Sequence, residues 1–132
     1  MRVICLVLCL TAVVLSSPVQ DKWNKVHRSC QSVPAFFVEE IIFEKLKKGE
    51  QVSLPDNFGL HAHCMLEKLG LQNSQGAVQR NALEQTVRSN IRDASQANKV
   101  IDECFVNKGA KEDTALELFG CLGKNKVNIG QL

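Results

Sequence analysis

The placement of the cysteines constrains this chain more than any other feature. Six occur in 132 residues, but Cys5 and Cys9 lie inside an apolar stretch at the start, leaving Cys30, Cys64, Cys104 and Cys121 spread through the remainder. Met1–Arg2 supplies a positive start, Val3–Leu15 is an uncharged apolar run, and Val14-Leu15-Ser16 permits cleavage near Ser16 or Ser17. The run is shorter than the roughly 20 residues that span a bilayer, so residues 1–17 read as a signal peptide and not as an anchor. An exported chain folds in an oxidising compartment, where an even set of cysteines forms disulfides. The expectation is a secreted, extracellular protein, residues 18–132, forming one domain with two bridges, and with three pairings open.

A chain of this length can bury a core without depending on its bridges. Charge excludes more than it indicates. Sixteen basic residues, one of them Arg2 in the leader, stand against 14 acidic ones, scattered without a basic block. That distribution gives no footprint for nucleic acid or an anionic membrane surface. No second apolar run is long enough to insert into a membrane.

Apolar residues recur at helical spacing, and the breakers fall between the periodic stretches. A first helix is expected from Val19 to Gln31, with Trp23, Val26 and Cys30 on one face. Ser32-Val33-Pro34 opens a second, carrying Phe37, Ile41 and Leu46 to a stop at Lys47-Lys48-Gly49. A third runs from Asp56 to Leu69 before Gly70, with Ala62, Leu66 and Leu69 as its stripe. The fourth, Gln79 to Asn90, presents Leu83 and Val87. The fifth begins near Asp93 or Ser95, either of which can cap it, and carries Val100, Ile101, Cys104 and Phe105. Glu112 and Asp113 open the sixth, where Ala115, Leu118, Phe119 and Leu122 fall at i, i+3, i+4 and i+7 and Gly123 ends it. The tail after Lys124 keeps Val127, Ile129 and Leu132. Sustained period-two alternation and hairpin turns are missing, so the fold class is all-α.

The catalytic inventory is thin. His61 and His63 point about 200° apart on a helix and share no metal site; with His27 they read as surface or second-layer residues. No zinc, nucleophile-elbow, Walker or dinucleotide motif occurs. Glu39-Glu40 and Glu112-Asp113 are adjacent and do not face one another across a turn. An enzyme is not indicated, nor is any cofactor or metal.

The pattern Cys30-x33-Cys64-x39-Cys104-x16-Cys121 resembles that of the insect odorant-binding protein family (pheromone and general odorant-binding). Members usually carry six cysteines, the second four before the third and the fifth nine before the sixth. Those places here hold Leu60 and Glu112, which likens the chain to the four-cysteine "minus-C" branch. His63-Cys64-Met65-Leu66-Glu67-Lys68-Leu69-Gly70 resembles the family's third helix, and the stretch from Asp113 to Leu122 its sixth. The likeness covers essentially the whole chain after the leader.

The resemblance implies Cys30–Cys64 and Cys104–Cys121 pairing, and six helices round an internal apolar cavity that carries odorants, pheromones or similar hydrophobic volatiles through chemosensory fluid. On it, the inward stripes give the ligand-binding set Ala62, Leu66, Leu69, Leu83, Val87, Ala115, Phe119 and Leu122, although at helical spacing such stripes also make filled cores. It further implies an odorant receptor as a second partner, a monomer or weak dimer, and a lid made by Val127, Ile129 and Leu132. Asn90, Thr114 and Ser89 are candidate polar anchors. The missing third bridge would leave the third and sixth helices freer to separate. The alternative is a secreted helical effector acting through its surface, with no ligand cavity.

Overall fold

The computed structural model describes residues 18–130, and its helices fall where the apolar periodicity places them, with one exception. The expected leader and Leu132 lie outside the described residues. The elements are α1 (Pro18–Gln31), a 3-10 turn (Pro34–Phe36), α2 (Glu40–Lys47), α3 (Phe58–Lys68), α4 (Arg80–Asn90), α5 (Ala94–Cys104) and α6 (Lys111–Lys124). There is no strand among the described residues, only an isolated bridge between Gln72 and Val78.

The exception is the second helix, expected to run unbroken from Pro34 to Lys47. It breaks after one 3-10 turn, and Phe37 and Glu39 are extended. Gln31 is the cause. Its side-chain amide clamps the backbone of Val38, accepting from the Val38 N–H at 2.9 Å and donating to its carbonyl at 2.6 Å. Asn57 holds the same segment from the other side by donating to the carbonyls of Ala35 and Phe37. With its backbone groups satisfied by side chains, the segment has no need of helical bonds.

The core is organised round α3. Eight of its 11 residues are buried, so this helix is covered on every side and not on one stripe. Cys64 is bonded to Cys30 on α1, and on another face α3 makes the most extensive helix–helix contact of the fold, with α6. Gly59 permits that approach: a Cβ built there would lie 2.8 Å from the Glu112 Cβ and 3.3 Å from its carbonyl oxygen. The seam between these helices, where the missing bridge was expected to leave freedom, is closed by packing. Cys104–Cys121 ties α5 to α6. Loops of 34 and 17 residues make each bridge worth about 3–4 kcal/mol on the chain-entropy account.

Local signals set the remaining ends. Asp93 caps α5, its carboxylate accepting from the Gln96 N–H at 2.8 Å. Helix α6 does not stop at Gly123 as expected but continues to Lys124. The Lys126 N–H then donates to the Gly123 carbonyl and the Val127 N–H to that of Leu122, a Schellman closure. The left-handed residue it requires is Lys126, at φ 58°, in place of the usual glycine. This turn sends the tail back across the molecule.

Two glycine substitutions test the packing, one at the α3–α6 contact and one on the open face of α6. Gly59→Val will lower unfolding stability by about 1–3 kcal/mol in urea titration, as overpacking pushes Glu112 away. Gly120→Ala, whose Cβ meets no atom within 4 Å, will raise it by up to about 1 kcal/mol through helix propensity.

Candidate functional site

Helix α6 has two apolar faces. Ala115, Leu118 and Leu122 enter the core shared with α3, α4 and α5, while Leu116, Phe119, Gly120 and Gly123 turn towards a cavity of about 430 Å³. Trp23 of α1 and Phe43 and Leu46 of α2 form the opposite wall, and Phe58 and Met65 of α3 lie between. Leu54, from the loop before α3, and Val127, Asn128 and Ile129, from the tail, complete the lining. Leu54, Gly120, Gly123 and Asn128 are exposed, so the opening lies among them. Among the described residues, Asn128 is the only lining residue with an amide side chain, and no lining residue carries a charge.

Histidines back the aromatic wall. His27 stacks on Trp23 with ring centroids 4.8 Å apart and meets Phe43 edge-on at 4.7 Å; His61 lies 5.0 Å from Phe43. Of the expected surface or second-layer placement of the histidines, the surface alternative is corrected here, because all three are buried, His61 to 1 % exposure, and His27 and His61 stand behind lining residues. Each is accommodated by one acceptor. The Nε2–H of His27 donates to the Glu40 carboxylate at 3.1 Å, Nδ1–H of His61 to the Phe36 carbonyl at 2.8 Å, and Nε2–H of His63 to the Asn73 carbonyl at 3.0 Å. These bonds tie α1 to α2, and α3 to its flanking turns. Burial pushes the His61 imidazole below its ordinary 6.5, against the opposing effect of the Phe36 hydrogen bond. Burial pushes the Glu40 carboxyl up, but hydrogen bonds from Gln31 and His27 together hold it below 4.5.

The tail crosses the cavity. Val127 is buried, and the Asn128 N–H donates to Asn90 Oδ1 on α4 at 3.0 Å. Gly130 then packs directly on the Trp23 indole, where a side chain would overlap Cβ, Cγ and Cδ1. The Gly130 N–H donates to Asn128 Oδ1 at 2.9 Å.

Of the ligand-binding set expected from sequence, Phe119 and Leu122 line this cavity. Ala62, Leu66, Leu83, Val87 and Ala115 lie together in the filled core between α3, α4 and α6, each at 0 % exposure. Leu69 lines a smaller cavity of about 170 Å³ on the far side of the tail. Of the expected polar anchors, Ser89 borders that smaller cavity, Asn90 holds the tail, and Thr114 accepts from the Lys108 N–H. Val127 and Ile129 of the expected lid line the main cavity. Sequence reasoning missed most of the wall. The signal was present on α6, where Leu116, Phe119, Gly120 and Gly123 form a second stripe at i, i+3, i+4 and i+7 beside the core-facing one.

Fold and site define a class: an all-α protein stapled by two disulfides, with an apolar recess and no catalytic constellation among the described residues. Residues 13–125 match the PBP/GOBP family, and the chain belongs to that family of non-enzymatic carriers of small ligands. It is similar to odorant-binding protein 10 of Aedes aegypti, 24 % identical over 98 residues, covering 74 % of this chain and 69 % of the relative. It is also similar to the B2 protein of Tenebrio molitor, 24 % identical over 90 residues (68 % of this chain, 70 % of the relative). The B1 protein of the same beetle is 23 % identical over 92 residues, 70 % of each chain. No helix among the described residues is long and apolar enough to cross a membrane.

The buried imidazole of His61 sets the response to acid. With its folded value lowered, the unfolded chain binds more protons just below pH 6.5, so the stability it contributes is complete above that pH and is lost on acidification. Glu40 adds a further loss below pH 4.5. The melting temperature will fall between pH 7 and 5, and His61→Asn, which keeps a donor for Phe36 without titrating, will flatten that slope.

Proposed function

We propose that the protein is a secreted carrier, released from a leader at residues 1–17, that takes one small hydrophobic odorant, pheromone or similar volatile into the cavity beneath its tail and moves it through aqueous fluid. The observation that carries this reading is the lining, apolar or glycine apart from Asn128. A volume near 430 Å³ lies in the range of small-molecule sites. An apolar ligand gains roughly 2.5 kcal/mol for every 100 Å² removed from water, with little directional chemistry. Family membership and the name of the mosquito relative support odorants as the ligand class. Leu60 and Glu112 at two expected cysteine places support the four-cysteine branch, and an odorant receptor is the second partner on this reading.

The tail is the lid. Val127 and Ile129 cover the cavity from the Schellman turn, and the Asn90 side chain fastens the backbone of Asn128. Leu132, the third residue of the expected lid, lies outside the described residues.

Two measurements test this reading. An apolar fluorescent probe such as N-phenyl-1-naphthylamine will bind and be displaced by medium-chain volatiles. Gly120→Trp, which places a ring at the opening, will weaken that binding at least about tenfold without loss of helix; a probe that never binds would leave a surface-acting effector as the better account. For the lid, Asn90→Ala and deletion of residues 126–132 will each accelerate ligand release in stopped flow, and unchanged off-rates would remove the lid.

A further inference from the structure

Helix α2 is attached to the rest of the molecule differently from every other helix. No Cα of α2 lies within 8 Å of a Cα in another helix or in the 3-10 turn, so apart from its chain connections it is held by side chains alone. Two sets of contacts do this. The Glu40 carboxylate accepts from His27 Nε2–H at 3.1 Å and from the Gln31 amide at 2.8 Å. Phe43 packs against the rings of His27, Phe58 and His61, at centroid distances of 4.7, 5.6 and 5.0 Å, with Ile42 and Leu46 half-buried beside it. Glu44, Lys45 and Lys47 are exposed and form no ion pair within 4.0 Å among the described residues.

The chain on either side of α2 divides into fixed and free lengths. Before it, Val38 is buried and pinned by the Gln31 amide; after it, Phe58 is buried at the start of α3. Between Lys48 and Pro55 the backbone is irregular. Gly49 sits at φ 77°, and the N–H groups of residues 51–54 donate to no protein group among the described residues. Residues 39–54 therefore form a flap between two buried anchors. Its inner side supplies Phe43, Leu46 and Leu54 to the cavity wall, and Leu54 stands at the opening.

One buried ring and one solvent-exposed carboxylate do most of the holding, which puts the flap at the low-stability end of the fold. The two disulfides, the α3–α6 contact and the hydrogen bonds of the tail all lie outside it, so the flap can lift while the body stays folded. We propose that residues 39–54 are a gate for the ligand: α2 and the loop after it swing outwards as one piece between Val38 and Pro55, withdrawing Phe43 and Leu46 from the wall while the tail stays closed. The inference rests on the carrier reading and adds to it a door separate from the tail. A gate scales entry and exit alike. When ligand passes only through the open form, both rate constants are proportional to the open fraction, and their ratio is not. Loss of a wall contact behaves otherwise, because it weakens the bound state and raises the exit rate alone.

The test combines stopped-flow binding of N-phenyl-1-naphthylamine with hydrogen exchange, on the full chain with both disulfides formed. Glu40→Ala removes the latch without touching a lining residue. It will raise the association and dissociation rates together, about three- to tenfold, with Kd changed by less than about twofold. Two glycines inserted after Gln51 will act in the same direction while leaving Glu40 and His27 intact. Glu44→Ala, an exposed and unpaired charge on the same helix, will change neither rate. In the free protein the amides of residues 44–47 will exchange at least about tenfold faster than those of α3, and Glu40→Ala will raise their exchange by the same factor as the two rates. Rates that stay constant in both gate variants, or an exit rate that rises alone with a matching rise in Kd, overturn the gate and leave the carrier reading intact. A probe that binds neither the native chain nor any variant overturns both.

Discussion

Everything in this structure depends on α3 being buried on all sides. A helix with one apolar stripe needs one neighbour, but α3 needs several, and its residues supply a different device for each. Cys64 binds α1 covalently, Gly59 admits α6 to near backbone contact, and His61 and His63 secure the flanking turns by donating to carbonyls. The histidines explain how a helix with two imidazoles can sit in a core. Each ring gives one hydrogen bond to a fixed acceptor, so the larger penalty of an unpaired polar group is avoided at that nitrogen. The His61 Nε2 stays bare and buried, which is why the ring resists protonation.

The cavity follows from the same arrangement. Helix α6 packs one apolar face on α3, and its other face is left with Gly120 and Gly123, which project nothing into the space beside them. On the facing side the Gln31 clamp breaks the second helix and sets α2 as a separate piece, so Phe43 and Leu46 form a wall that meets α6 through Leu116 and leaves the space beside the glycines open. A continuous helix from Pro34 would direct those side chains elsewhere. The recess is thus the space beside a glycine-bearing face whose neighbours Leu116 and Phe119 already pack on the aromatic wall, and it cannot close further without undoing contacts to α3.

Most of the fold was legible in the sequence because its signals are local. Proline and glycine punctuation, the Asp93 cap and the spacing of apolar residues locate the helices to within two or three residues, apart from the break in the second. Cysteine spacing carried the family. The site was less legible, for a physical reason. Periodicity tells which residues leave water and not whether they meet a neighbour or an empty space, and Ala62, Leu66, Leu83, Val87 and Ala115 met neighbours. The second-helix break was hidden because Gln31 acts through a side chain seven residues away, and the histidines looked peripheral because their acceptors are main-chain carbonyls or a distant carboxylate.

On the carrier reading, the tail must be held firmly enough to shield an apolar ligand and loosely enough to release it. The contributions are individually small. Burial of Val127 supplies about 1.5–3 kcal/mol. The exposed hydrogen bonds at Asn90 and Asn128 supply about 1 kcal/mol each at most. Lys126 at φ 58° withdraws about 1 kcal/mol, because a side chain sits in a conformation that suits glycine. The balance is a few kcal/mol, the range in which an open form is a minor but populated state. A glycine at that turn would ease the αL strain, yet it would also free the tail in its open form. The lysine makes the turn mildly strained and the tail's path restricted, so opening relieves strain without making the segment a random coil.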